Sequence, residues 1–256
     1  MDIPLEEYEK LNPKSVVDLE GKKLIFQTPN LITKWRVDTL LTKEPNTIDW
    51  LNQIKPKEIL LDIGANVGMY TIYAAVMRDA TVYALEPESQ NYSLLNMNIR
   101  LNSLDHLVAA YCVGVSDKDS FDYLFMGNMG AGDGNHAVGE PLNCKLQAFD
   151  SNIGFAQGCI TYKLDTLVET NNLQIPDYIK IDVDGFEHKV IEGAKETLKN
   201  KKIKSVIIEL SQDLQEHMDT VELLQNLGFK FSQDQVDRDA RKEGPFKGMS
   251  EYVFRR

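Results

Sequence analysis

Ile59-Leu60-Leu61-Asp62-Ile63-Gly64-Ala65-Asn66-Val67-Gly68 is the stretch whose reading decides the fold. An apolar run broken by a single Asp reads as a strand buried on both faces, and Gly64 and Gly68 then allow a tight backbone turn. Met69, Ile72, Tyr73, Val76 and Met77 recur at helical spacing immediately afterwards. They predict a helix whose apolar face packs back on the sheet and whose amino end points at the turn. Strand, glycine turn and helix in that order make a nucleotide-type site.

The spacing of the turn narrows the ligand. A dinucleotide fingerprint reads G-x-G-x-x-G, with close-set glycines that admit a pyrophosphate; this chain reads D-x-G-x-x-x-G. The Asp62 carboxylate opposes a pyrophosphate and suits a ligand bearing an ammonium group, such as S-adenosylmethionine. The next predicted strand, Ala80-Thr81-Val82-Tyr83-Ala84-Leu85, ends at Glu86-Pro87. An acid there is placed to accept hydrogen bonds from both ribose hydroxyls of an adenosine. A third buried strand at Tyr178-Ile179-Lys180-Ile181 delivers Asp182 and Asp184, and Glu187 and His188 open the following helix.

Three segments carry a family resemblance: Asp62 to Thr71, Glu86 to Asn91 and Lys180 to Glu187. They resemble the FkbM family of class I methyltransferases, whose forms are D-(I/V)-G-A-N-x-G-x-(Y/F)-(S/T), E-P-x-x-x-N and K-I-D-x-E-G-x-E. Gly114-Val115-Ser116-Asp117 is similar to the family's A-L-S-D turn, and Leu164-Asp165-Thr166-Leu167 to its L-D-x-L. Asp184 departs from the pattern, standing one methylene short of the commoner Glu. The resemblance runs from about Gly21 onward. It implies an α/β fold with a seven-stranded, mostly parallel, doubly wound Rossmann-like sheet, and S-adenosylmethionine as co-substrate. Asp62, Gly64, Asn66, Gly68, Glu86, Pro87 and Asn91 are the expected donor-binding residues. Asp117 either accepts from the adenine amino group or caps its own turn. The implied reaction is O-methylation of a hydroxyl on a sugar, glycan or similar small acceptor.

Methyl transfer from a sulfonium centre is a direct displacement, so holding both partners in line supplies much of the acceleration. A hydroxyl also has to lose a proton, for which a carboxylate or imidazole serves as general base. Asp182, Asp184, Glu187 and His188 are the candidates, each also readable as scaffold. Asp182, Asp184 and Glu209 would offer hard oxygen ligands to a divalent metal if they converge. Two rival readings stay open: a nicotinamide-dependent oxidoreductase on a similar sheet, and a non-catalytic module that binds an adenosyl ligand.

The remaining sequence sets the surroundings. The 256 residues, 43% hydrophobic and 26% charged, are expected to form one domain. Within it, residues 1–56 make a small amino-terminal extension and 57–256 the core. Trp35 and Arg36 in the extension suit stacking on a sugar face and pairing with a carboxylate or phosphate, or else plain packing and a surface ion pair. Residues 126–143 are read as an inserted loop. Gly127, Gly130, Gly132, Gly134 and Gly139 argue against helix or strand there, and the loop serves as a lid or lacks order. His136 lies within it, as a base delivered by closure or as a solvated side chain. Phe121 to Phe125 is expected to pair with Cys159 to Leu164, and Phe229 to Phe231 with Glu251 to Phe254. Asp234 to Lys247 reads as a solvated loop.

A net charge of −11 opposes nucleic acid and anionic membranes as partners. Cys112, Cys144 and Cys159 lack zinc-site or redox spacing. No signal peptide or membrane-length apolar stretch is legible, which makes a cytoplasmic location the simplest expectation.

Overall fold

The structure is a computed structural model that describes residues 3–148, 154–170, 173–244 and 246–256. It opens with a short helix α1 (Leu5–Lys10) and a hairpin of β1 (Lys14–Leu19) and β2 (Lys22–Gln27), followed by α2 (Leu31–Asp38) and α3 (Pro45–Leu51). Asn30 caps α2 in a reciprocal capping box with Thr33. Then come β3 (Ile59–Ile63), α4 (Met69–Arg78), β4 (Thr81–Leu85), α5 (Ser89–Leu101) and β5 (Val108–Tyr111).

A second group of strands follows: β6 (Gly114–Val115), β7 (Ser120–Met126), β8 (His136–Val138) and β9 (Phe155–Tyr162). The chain returns through α6 (Leu164–Glu169), β10 (Tyr178–Ile181), α7 (Glu187–Glu192), β11 (Ser205–Ser211), α8 (Gln215–Asn226), α9 (Gln233–Asp239) and β12 (Met249–Arg255).

The main sheet runs β12-β11-β10-β3-β4-β5. All neighbours are parallel except β12, which is antiparallel to β11. The two faces of β3 feed different cores. Leu60 packs with Ile72, Val82 and Leu95, whereas Leu61 and Ile63 pack with Ile179, Val190 and Leu210. The run is apolar throughout because helices cover both faces. Leu24 and Phe26 of the hairpin and Trp50 of α3 belong to the Leu60 core, and the Trp50 indole donates to Ser205 Oγ at 2.8 Å. Asn98 of α5 and Asn102 at its carboxyl cap bind the β2 backbone at Gln27 and Ile25.

Three expectations are corrected. The main sheet has six described strands and is mixed rather than seven-stranded, because Phe229-Lys230-Phe231 contributes only the bridge Lys230 to Arg255. Phe231 turns its ring onto Tyr252 and Phe254, at 5.2 Å from each, and the chain enters α9 two residues later. The stretch from Asp234 to Lys247 is therefore not all loop: Val236 is buried, and Gln235 of α9 bonds the β12 backbone. Residues 126–143 are not wholly irregular either. Met126 ends β7, and β8 pairs with it in the four-stranded sheet β6-β9-β7-β8. The expected pairing of Phe121 with the Cys159 strand is present, with Phe121 opposite Ile160.

Candidate functional site

A cavity of about 270 Å³ opens at the carboxyl ends of β3, β4 and β10, where the chain order reverses across the sheet. That volume lies near the ~300 Å³ at which small-molecule sites begin, and the position is the one where open α/β sheets bind ligands.

The turn after β3 forms its floor. Gly64 has φ +77°, and a Cβ there would lie 1.8 Å from the Asp182 carbonyl oxygen, so no side chain fits. Gly68, at φ +84°, starts α4, and a Cβ would press on Leu95 at 2.5 Å. Between them Asn66 takes a left-handed conformation, φ 51°, which Asn tolerates better than most residues. Its amide donates to Glu86 Oε2 at 2.7 Å, and its side-chain Nδ2 donates to the Asp133 carbonyl at 2.8 Å.

Glu86 follows β4 directly and lines the cavity beside Pro87. Its other oxygen accepts from the Glu88 amide at 2.8 Å. Burial raises its pKa to about 7 despite these two hydrogen bonds. Glu88 in turn caps α5 by accepting from Gln90 and Asn91, so the cap and the cavity wall are one structure. Asn91, fully buried, accepts from the Gly132 amide at 2.7 Å and donates to the Asp133 carbonyl at 3.2 Å.

Those contacts pin the segment from Ala131 to Asn135 across the cavity. Arg36 Nε donates to the Gly132 carbonyl and Asn30 Nδ2 to that of Ala131. Asp184 Oδ2 accepts from the amides of Asn135, at 2.7 Å, and His136, at 3.3 Å. The glycine-rich segment is thus held by side chains from α2, α5 and the turns after β3 and β10. His136 lines the cavity, and both its ring nitrogens are buried without a hydrogen-bond partner among the described residues.

At the end of β10, Lys180 is buried and sits 3.2 Å from Asp182 and 3.6 Å from Asp62. Burial would raise the Asp182 pKa, but Lys180, Lys43 and Arg36 overcome it and hold the group at about 2. Burial raises the Asp184 carboxyl, reinforced by the charge of Asp182. Glu209 is likewise raised by burial and then by Asp182, in spite of Arg241 at 2.6 Å.

Seven of the donor-binding and catalytic residues expected from the motifs line this cavity: Gly64, Asn66, Glu86, Pro87, Asn91, Asp182 and Asp184. Trp35, Arg36, His136 and Glu209 line it as well, whereas Asp62, Gly68, Asp117, Glu187 and His188 do not. Asp62 is directly opposite Lys180 in the parallel register, and its Oδ2 accepts from Thr71 at 2.6 Å. It therefore points into the face of α4 while its neighbour Ile63 reaches the cavity. Gly68 acts one turn further on. Asp117 accepts from the Ser116 hydroxyl, and it is Ser116 that reaches the cavity. Glu187 is fully buried and caps its own helix entrance, accepting from Val183 and Gly185, with its pKa raised by burial to about 8. His188 packs between the rings of Phe186 and His217.

Residues to which the sequence motifs assign no role supply the rest of the wall: Lys43, Glu44, Ser116, Arg241 and Phe246. Lys180 was legible as an anomaly, a lysine inside an apolar strand; Arg241 has no local signal. Asp182, Asp184 and Glu209 share the cavity, but among the described residues no group of His, Cys, Asp and Glu side chains is arranged to hold a metal. A glycine cradle, an acid at the end of the second core strand and buried amides fit an adenosyl donor.

A family model described as the methyltransferase FkbM domain matches residues 62–231. Among characterised relatives, the chain is similar to the hexuronic acid methyltransferase AglP of Haloferax volcanii, 24% identical over 198 residues that make up 76% of this chain and 73% of the relative. It is also similar to Methyltransferase 1 of Beauveria bassiana, 26% identical over 190 residues, or 70% and 74% of the two chains. The solved methyltransferase FkbM of Methylobacillus flagellatus overlays with a TM-score of 0.49 at 14% identity, covering 88% of this chain and 53% of that one. With all three motifs inside the matched segment, the chain belongs to the FkbM family of S-adenosylmethionine-dependent methyltransferases.

Proposed function

We propose that the chain O-methylates a hydroxyl on a sugar or glycan acceptor that carries a carboxylate, with residues 1–256 acting as one catalytic domain. The observation that carries this reading is that the cavity holding the Gly64 cradle, Asn66 and Glu86 is also lined by Trp35 and Arg36. The terminal nitrogens of Arg36 have no hydrogen-bond partner among the described residues, because only Nε is engaged. A guanidinium edge of that kind matches a carboxylate in a bidentate pair, and a half-exposed tryptophan beside it offers a stacking face. A relative that acts on a hexuronic acid supports the same class of acceptor.

In the reaction the acceptor oxygen attacks the donor methyl carbon, the carbon–oxygen bond forming as the carbon–sulfur bond breaks, and the hydroxyl proton passes to a base. Products are the methyl ether and S-adenosylhomocysteine. The segment from Gly132 to His136, which lines the cavity, restricts water at the point of transfer.

Calorimetric titration with S-adenosylhomocysteine and with NADH, repeated for Glu86→Ala, tests the donor half. Expected are binding of the first alone and a loss of at least about tenfold in the variant. Binding of NADH alone overturns the reading. For the acceptor half, Arg36→Ala should raise KM for uronate-bearing acceptors by about 10- to 100-fold more than for neutral sugars, the smaller common effect coming from the lost contact to Gly132.

A further inference from the structure

We infer that His136 is the general base that removes the proton from the acceptor hydroxyl, an assignment that rests on the methyl-transfer reading above. The groups nominated by sequence are each engaged by other parts of the fold or lie outside the cavity wall. Asp182 carries an ion pair with Lys180 at 3.2 Å, which weakens it as a proton acceptor. Asp184 spends Oδ2 on two backbone amides of the covering segment. Glu187 and His188 lie outside the cavity wall, the first accepting from Val183 and Gly185 through Oε1 and the second packed against rings.

His136 differs from all four. It lines the cavity, and neither ring nitrogen has a partner among the described residues. A buried imidazole with no hydrogen bond costs stability unless something else occupies that position in the working state. An acceptor hydroxyl supplies the missing partner, donating to a ring nitrogen and then giving up its proton there.

The fold also prepares the charge that results. His136 begins β8, paired to Met126 of β7, so its backbone sits on a strand rather than on a free loop. Asp184 Oδ2 accepts from the His136 amide at 3.3 Å, so a positive charge formed on the ring develops on a residue already anchored to a carboxylate. The acceptor loses a proton as its oxygen gains the methyl group; His136 holds that proton until it passes to solvent after product release. The position of His136 thus comes from the covering segment, one end tied to Asn91 and the other to Asp184.

The test uses the full chain as wild type, His136→Gln and His136→Ala. Each is assayed for S-adenosylhomocysteine binding and for methyl transfer from S-adenosylmethionine to p-nitrophenyl glucuronide and to galacturonate oligomers. Expected is a kcat about 10²- to 10⁴-fold lower in both variants, with donor affinity and acceptor KM preserved. Added imidazole should restore part of the turnover of His136→Ala, because it fills the vacated position. A kcat close to wild type in either variant overturns the assignment, and so does a fall that imidazole leaves unrestored or that comes with lost donor affinity, since both mark a structural role. A wild type that binds S-adenosylhomocysteine but methylates neither acceptor overturns the uronate reading instead, and the assignment falls with it.

Discussion

At the scale of single residues, the tightest constraint is the contact between Gly64 and the Asp182 carbonyl. Any side chain at Gly64 would have to push β3 and β10 apart where they deliver the site, and would also adopt a left-handed conformation. Gly64→Ala should therefore cost at least about 3 kcal/mol in urea unfolding, or yield no folded protein. Gly127 supplies the control. Nothing lies within 4 Å of a Cβ at that position. Gly127→Ala should stay within about 0.5 kcal/mol of wild type, and equal costs at the two glycines would refute the steric argument.

At the scale of elements, the unit that matters is the clasp between α5 and the segment around Gly132 and Asp133. Asn91 lies in the first turn of α5, where the cap of Glu88 fixes its backbone, and its side chain grips Gly132 and Asp133. Asn91→Ala removes both hydrogen bonds and leaves a buried amide and a carbonyl less satisfied. The expected cost is about 1–3 kcal/mol, concentrated in that segment. Hydrogen exchange by mass spectrometry should show faster exchange in peptides spanning 127–135, with β3 and β10 unchanged, together with weaker S-adenosylhomocysteine binding. Uniformly faster exchange would mean that Asn91 supports the whole fold instead.

At the scale of the whole molecule, interior glutamates with raised pKa values set the pH response. Burial raises Glu187 to about 8, and Glu86 and Glu251 to about 7. Each keeps its proton in the native state over a range where the unfolded chain, with a carboxyl pKa of about 4.5, has released it. The native state then binds more protons, so stability falls as pH rises from about 4.5 to about 8. Self-repulsion from a net charge of −11 acts in the same direction. Asp182 works oppositely: it contributes above the ordinary aspartate range and loses that contribution as pH falls toward about 2. Thermal scans should show the highest Tm near pH 5 and a decline toward pH 8, with Glu187→Gln flattening the upper part of that decline. A Tm that rises between pH 5 and 8 would contradict the burial of these carboxyls.

Local pattern was enough to locate β3, its glycine turn, α4, Glu86 at the end of β4 and the acids after β10, because each depends on neighbours within a few residues. It also identified the family, since the three motifs are contiguous. Asp62 shows where that legibility stops. Strand alternation turns its side chain away from the cavity, toward Thr71 and Lys180, and which face of a doubly covered strand meets a ligand is settled only when the sheet is assembled. The same holds for residues 126–143. Their glycines suggested a free loop, while the groups that order them, Arg36, Asn66, Asn91 and Asp184, come from four separate parts of the chain. The isolation of the His136 ring and the charge around Asp182 arise in the same way: hydrogen bonding, burial and Coulombic coupling depend on distances through space, and tertiary packing alone sets those distances.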